Sequence, residues 1–156
     1  MNKVKTLREI KKIVSGLRKK RKRIVFTNGC FDILHYGHIK YLEKCKRLGN
    51  ILVIGLNNDS SVKKIKGKNR PVTGEKERIA ILSALEFVDF VVLFSDKTPE
   101  KLIKEIGPDI LVKGGDWRVK DIVGAKDVKK RLGRVVTVPF VKGYSTTRMI
   151  KRIKNA

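Results

Sequence analysis

The chain has two histidines, and they stand three residues apart, at His35 and His38. On the first turn of a helix that spacing brings both imidazoles to one face. Gly37 between them lacks a Cβ, so a ligand can come close to the backbone. Imidazole N–H groups near a helix N-terminus suit phosphate oxygens, above all oxygens that gain charge in a transition state. A bare pair of this spacing is more often one loop histidine and one helix histidine. Its surroundings decide between the two readings.

Those surroundings are a strand, a turn and a helix. Ile24-Val25-Phe26 is a short run of β-branched and aromatic residues, which reads as a buried strand. Asn28-Gly29 breaks it, because both residues tolerate positive φ. A helical pattern starts near Gly37, with Ile39, Leu42, Cys45 and Leu48 as its apolar stripe and Gly49-Asn50 as its end. This order presents backbone N–H groups and a helix N-terminus to an anion.

The remaining chain repeats the alternation. Leu7, Ile10, Ile13, Val14 and Leu17 predict an amphipathic helix over 6–20. It packs on the sheet or against another subunit of a homo-oligomer. Ile51 to Leu56 is a continuous apolar run, as in strands covered on both faces. A short helix through Val62 and Ile65 and a basic loop over 66–74 follow. Thr73 and Glu77 bracket the next helix start, with Ile79, Ile81, Leu82 and Leu85 facing inward. Strands are expected at 89–94, 110–112 and 135–138. Thr98 as cap and Pro99 as first residue open a helix that Gly107-Pro108 closes. Further helices are expected near 125–132 and after Ser145. The pattern predicts an α/β fold: a single Rossmann-like domain, its doubly wound parallel sheet flanked by helices, with ligands at the carboxyl ends of the strands. Residues 22–154 form the expected catalytic core, behind a basic N-terminal helix over 1–21.

Four other polar stretches fall at strand ends. Asn58-Asp59 follows the second strand and suits a helix cap. Lys66 and Arg70 lie in the basic loop, where Arg can clamp phosphate by paired hydrogen bonds. Lys113-Gly114-Gly115-Asp116 follows the fourth strand; paired glycines there form a plain turn or let a planar base lie against backbone. Ser145-Thr146-Thr147-Arg148 opens the last helix with three hydroxyls and a cation, a good phosphate site.

Composition narrows the class. The 156 residues suit one domain with a real core. No apolar run reaches the roughly 18–20 residues of a membrane span, and the N-terminus lacks a signal-peptide core. Cys30 and Cys45 are isolated, which argues against a disulfide framework or a zinc site and for the cytoplasm. The net charge of +23 implies attraction for anions. Its densest run, Arg18 to Arg23, reads as a solvated face or helix end, because no aromatic residues interleave to stack bases. A basic nucleic-acid-binding module is the reading from another class, and no nucleic-acid fold signature supports it.

His35-Tyr36-Gly37-His38, preceded by Thr27-Asn28-Gly29-Cys30-Phe31-Asp32-Ile33-Leu34, resembles the HxGH signature of the nucleotidyltransferase superfamily. Asp59, Lys66, Arg70-Pro71-Val72, Glu77-Arg78, Lys113 to Asp116 and Ser145 to Thr147 are similar to the adenylyltransferase domain of ADP-heptose synthesis. The similarity runs from about Lys22 to Ile153. It implies transfer of AMP from ATP to D-glycero-β-D-manno-heptose 1-phosphate for a lipopolysaccharide precursor. It further implies catalytic roles for His35, His38 and Lys66. A nucleotide site of Asn28, Gly29, Cys30, Phe31, Asp32, Gly37, Gly114, Gly115, Asp116, Ser145, Thr146, Thr147 and Arg148 follows from it, with Asp59, Arg70, Lys113 and Trp117 on the acceptor. Mg²⁺ is expected through the ATP phosphates rather than a carboxylate cluster. A separate sugar kinase is the expected pathway partner, with no membrane and no specific nucleic acid. Glycerol-3-phosphate cytidylyltransferases share the first motif but carry an arginine where Phe140 stands here; FMN adenylyltransferases match less well at 113–117.

Overall fold

The computed structural model describes residues 2–115 and 117–155, so Asp116 lies outside the described residues. Among the described residues the chain forms five strands and seven α-helices. The strands are β1 (Ile24–Gly29), β2 (Ile51–Asn57), β3 (Phe90–Phe94), β4 (Ile110–Gly114) and β5 (Arg134–Val138). The helices are α1 (Leu7–Lys19), α2 (Tyr36–Arg47), α3 (Asp59–Lys66), α4 (Glu75–Ala84), α5 (Glu100–Ile106), α6 (Ala125–Lys130) and α7 (Thr146–Lys154).

All strand pairs are parallel, in the order β3-β2-β1-β4-β5. The chain builds outward from β1 to β3, then returns to place β4 on the other side of β1. That reversal is a topological switch point, where open α/β sheets hold ligands beyond the carboxyl ends of their strands. Helices cover both faces. Phe26, Val53, Val92 and Leu111 pack with Ile10, Val14, Leu102, Ile103 and Val128 of α1, α5 and α6. Val25, Leu52, Ile54 and Val112 pack with Tyr41, Leu42, Cys45 and Leu82 of α2 and α4. Two buried faces are why these strands read as continuous apolar runs.

The helix preceding β1 packs within the chain. Ile10 and Val14 of α1 are buried in the first core. Thr6 and Glu9 form its capping box. Upstream, the Lys5 N–H donates to Val91 O (2.9 Å), and the Val91 N–H to Lys3 O (3.0 Å), so residues 3–5 cover the free edge of β3. Arg18 donates to the carbonyls of Ile106 and Gly107 and so closes the C-terminus of α5. Lys19 to Arg23 are exposed.

Three local expectations shift. The N-cap of α5 is Pro99 rather than Thr98, and no side chain caps it. The N-cap of α4 is Gly74, whose N–H donates to Glu77 (2.7 Å), because the Thr73 hydroxyl is drawn instead to Asp32. Ile81 is 42% exposed while Arg78 is buried at 1%. The inner stripe of α4 therefore runs through Arg78 and Leu82, one helical turn apart. Among the described residues no helix is long and apolar enough to cross a membrane.

Candidate active site

His35 is the N-cap of α2 and so precedes its first turn, with extended backbone. Its Nδ1 accepts from the His38 N–H at 3.3 Å, which leaves the ring proton on Nε2. The two imidazoles stack at 3.8 Å between centroids and 16° between planes. Phe31 presents its ring to His38 in an edge arrangement at 5.3 Å. The Nδ1 of His38 is buried without a partner. Burial, and next to it the His35 ring, push the His38 pKa down to about 4; burial also lowers that of His35. Both rings are therefore neutral at pH 7 and offer N–H donors rather than charge. A Cβ at Gly37 would lie 3.0 Å from the Tyr144 Cβ, so glycine lets the segment before α7 close over the start of α2.

This shift fixes a pH dependence. The unfolded chain protonates His38 near 6.5 while the folded chain holds it neutral to about 4. Between those values the unfolded state binds more protons, so the contribution is fully present above 6.5 and is lost as pH falls toward 4. The melting temperature of wild type is expected to fall across this window, and His38→Gln to fall less. Parallel curves for the two proteins would contradict the assignment.

The loop before the histidines is held from below. Phe31 and Ile33 have left-handed φ, 46° and 49°, at a cost of roughly 1–2 kcal/mol each. Asp32 between them is buried and accepts from Arg70 Nε (2.6 Å), Val72 N (3.0 Å), Thr73 N (3.0 Å) and Thr73 Oγ1 (3.0 Å). Burial alone would raise its pKa; these donors outweigh burial and hold it below the usual carboxylate value. The Asp32 side chain thus fastens residues 70–73 beneath the loop. Arg70 reaches the same place by its Nε.

Arg78 performs the equivalent task one layer deeper. It donates to Cys30 O (2.6 Å), Asn57 O (2.8 Å), Thr73 O (3.1 Å) and Asp59 Oδ1 (2.7 Å). One guanidinium therefore joins the ends of β1 and β2, the 70–73 segment and the start of α3. Asp59 is engaged in that joint.

The cations and the second helix start lie around the same loop. Lys66, Arg70 and Arg78 surround Cys30, whose thiol pKa is raised by burial and partly lowered again by those charges. At α7, Ser145 Oγ accepts from the Arg148 N–H (3.2 Å), and Thr146 Oγ1 donates to Asp32 O (2.8 Å). Thr147 and Arg148 are exposed. The N-termini of α2 and α7 thus meet at one loop, and each leaves N–H groups of its first turn open to an anion.

Lys113 and Asn28 stand apart from this group, at the ends of β4 and β1, with Lys113 Nζ 3.3 Å from Asn28 Oδ1. The Phe140 ring covers the backbone of Gly114 and Gly115: a Cβ at either glycine would meet it at 2.7 or 2.8 Å. Trp117 is half-exposed beyond them. Among the described residues no three His, Cys, Asp or Glu side chains gather as a metal site.

A strand, a left-handed loop, a neutral histidine pair and two converging helix starts come together at the switch point. A description of the cytidylyltransferase-like family matches residues 26–152. The chain belongs to that family. It is similar to the Bifunctional protein HldE of Campylobacter jejuni subsp. doylei, 52% identical over 151 residues, which cover 97% of this chain and 32% of that protein. The chain thus spans about a third of the length of the curated relatives it matches. The lipopolysaccharide core biosynthesis protein from Thermoplasma volcanium GSS1 has 34% identity and a TM-score of 0.62, with 80% of this chain and 99% of that chain covered. The pantoate-beta-alanine ligase from Francisella tularensis shares the fold alone, at 15% identity and a TM-score of 0.63 over 97% of this chain and 76% of that one.

In the sequence, Arg78 enters only through the resemblance, which gives it no role. A single arginine at a helix position that pairs with an inward leucine four residues on was the available signal.

Proposed function

We propose that the chain transfers AMP from ATP to a heptose 1-phosphate, releasing pyrophosphate and forming ADP-heptose. A phosphate oxygen of the sugar attacks the α-phosphorus in line, and the bond from that phosphorus to the β-phosphate oxygen breaks. The nucleophile is already anionic, so positioning and charge stabilisation carry the step. The observation that supports this reading best is the neutral His35–His38 stack at the joint start of α2 and α7. Neutral imidazoles donate hydrogen bonds to the triphosphate without needing a proton first, and the open N–H groups of α7 receive the leaving pyrophosphate. Lys66, Arg70 and Arg148 supply positive charge at the rim. Mg²⁺, held through the ATP phosphates, would offset the triphosphate charge beside Lys66, Arg70 and Arg148. Similarity to a protein named for lipopolysaccharide core biosynthesis supports the sugar acceptor, and Phe140 at the register of the cytidylyltransferase arginine supports ATP.

The deciding experiment is pyrophosphate release from ATP and from CTP, each with heptose 1-phosphate, glycerol 3-phosphate and FMN. ATP with the heptose is expected to exceed every other pair at least tenfold. Preference for CTP with glycerol 3-phosphate would overturn the reading.

The exposed basic run takes no part in this chemistry. Replacing Lys20, Arg21 and Lys22 together by Gln is expected to leave kcat and both KM values within about twofold. A large loss of turnover at saturating ATP would assign the run to the site.

A further inference from the structure

Parallel strands joined by helices return every crossover to the amino edge of the sheet, opposite the histidines. Along that edge the strand starts run β2, β1, β4, β5. Arg47 precedes β2, Lys19 to Arg23 precede β1, and Lys129 to Arg131 and Arg134 lie before or at the start of β5. All are exposed. The segments adjoin one another. Arg23 exchanges hydrogen bonds with Asn50, Asp109 with Ile24, and the Arg134 N–H donates to Asp109 O (2.8 Å). At roughly 4.8 Å per strand they span about 15 Å. Charges that close still act together at ordinary salt.

Among the described residues none of these cations pairs with a carboxylate. Asp89 is engaged by Lys46 and the Leu52 N–H, and Asp109 by the Ile24 N–H. Glu86 is exposed at the far end, before β3. Arg131 donates to Lys104 O (3.2 Å) and so helps to close α5. Lys20 to Arg23 and Arg134 lie past the helix ends, so helix dipoles do not account for them.

One apolar side chain stands among these charges. Leu132 is 95% exposed and has a left-handed φ of 61°. It follows α6 at the position where glycine commonly ends a helix: its N–H donates to Lys129 O and that of Gly133 to Val128 O, both at 2.9 Å. Glycine would hold this backbone with less strain, and leucine gains no burial within the chain. Arg21, with φ 55°, ends α1 in the same way. Two left-handed turns on one edge thus carry exposed side chains, one cationic and one apolar.

We propose that the amino edge docks on an anionic lipid surface, with Leu132 entering the acyl boundary and the flanking cations resting on the headgroups. Clustered cations are drawn to negative headgroups over a distance, and an apolar tip among them adds contact once the surface is reached. The chain lies on such a surface and does not cross it. A nucleic acid would use the cations but not the leucine, and residues 17–24 and 129–134 contain no aromatic ring on which a base could stack. A second copy would set like charge against like. β1 has 6 residues, so the catalytic edge stands about 20 Å from the docked one and stays open to solvent. Docking of this kind is independent of which acceptor the site takes.

The full chain, cleared of nucleic acid by nuclease, is sedimented with vesicles of phosphatidylglycerol and phosphatidylethanolamine, and with vesicles of phosphatidylcholine alone. Saturable binding to the anionic vesicles is expected, about tenfold or more above the neutral ones, and it should weaken as salt is raised. Replacing Lys20, Arg21 and Lys22 together by Gln is expected to weaken it at least about tenfold. Leu132→Gly is expected to weaken it at least about fivefold, with a melting temperature no lower than wild type and unchanged pyrophosphate release. Absence of binding to anionic vesicles, or equal binding to neutral ones, would overturn the proposal. Wild-type binding by Leu132→Gly would overturn it too; with duplex DNA bound as tightly as the vesicles, that result would give the edge to nucleic acid.

Discussion

His38→Ala is expected to fold with a melting temperature near that of wild type and to turn over at least about a hundredfold more slowly. Removing one preorganised donor to a charge-gaining oxygen typically costs roughly 10²–10³ in kcat, about 2.7–4 kcal/mol. The interaction belongs to the transition state, so kcat and kcat/KM should fall alike. Stability should change little because two effects oppose each other. The ring loses its contacts with His35 and Phe31, and a buried Nδ1 without a partner disappears with it. His35→Ala should lower turnover similarly. The double variant should lose less than the product of the two, since both rings act on one charge. Near-normal kcat in well-folded His38→Ala would remove the histidine pair from the mechanism.

Arg78→Met is expected to give the largest loss of stability of any single change at the site. The side chain is buried at 1% and its donors reach three carbonyls and the Asp59 carboxylate. Methionine fills much of the volume but leaves those acceptors unpaired. Breaking a buried charged network from one side costs about 3–5 kcal/mol, which for a chain of this size lowers the melting temperature by roughly 6–20 °C. The readout is thermal unfolding beside kcat at a temperature where the variant remains folded. A shift of less than about 3 °C would show that these hydrogen bonds contribute little net stability.

The sheet was legible because burial on both faces writes itself as apolar runs, as in β1, β2 and β3, while the edge strand β5, with Thr137 inside it, is only partly buried and showed as the shorter Val135 to Val138 stretch. Helix ends were legible where a side chain does the capping, as at Ser145. They were less so at Pro99 and Gly74, where the cap is backbone alone or the neighbouring hydroxyl serves another partner. The histidine spacing revealed a shared face but not the stacking, which depends on His35 leaving the helix as its N-cap. Asp32 and Arg78 show what one-dimensional reading misses. Their types announce chemistry, yet their neighbours lie roughly 20 to 50 residues away along the chain and absorb their hydrogen bonds. The pairing of Asn28 with Lys113 was hidden for the same reason, since the two become neighbours only when β4 docks beside β1.

No residue of α7 is buried, and Ile153 near its end is 67% exposed. The helix is fastened chiefly at its beginning, by Thr146 on Asp32 O and by Tyr144 against Tyr36. An element with so few apolar contacts opens by local unfolding at a free energy far below that of the whole domain. Its amides should therefore exchange with solvent much faster than those of β1 or β2. On the proposed function, a triphosphate bridging the starts of α2 and α7 would have to meet the ordering entropy of this helix at each encounter. Part of the intrinsic affinity for nucleotide would then go into immobilising α7. Release of pyrophosphate would return that freedom and favour product departure.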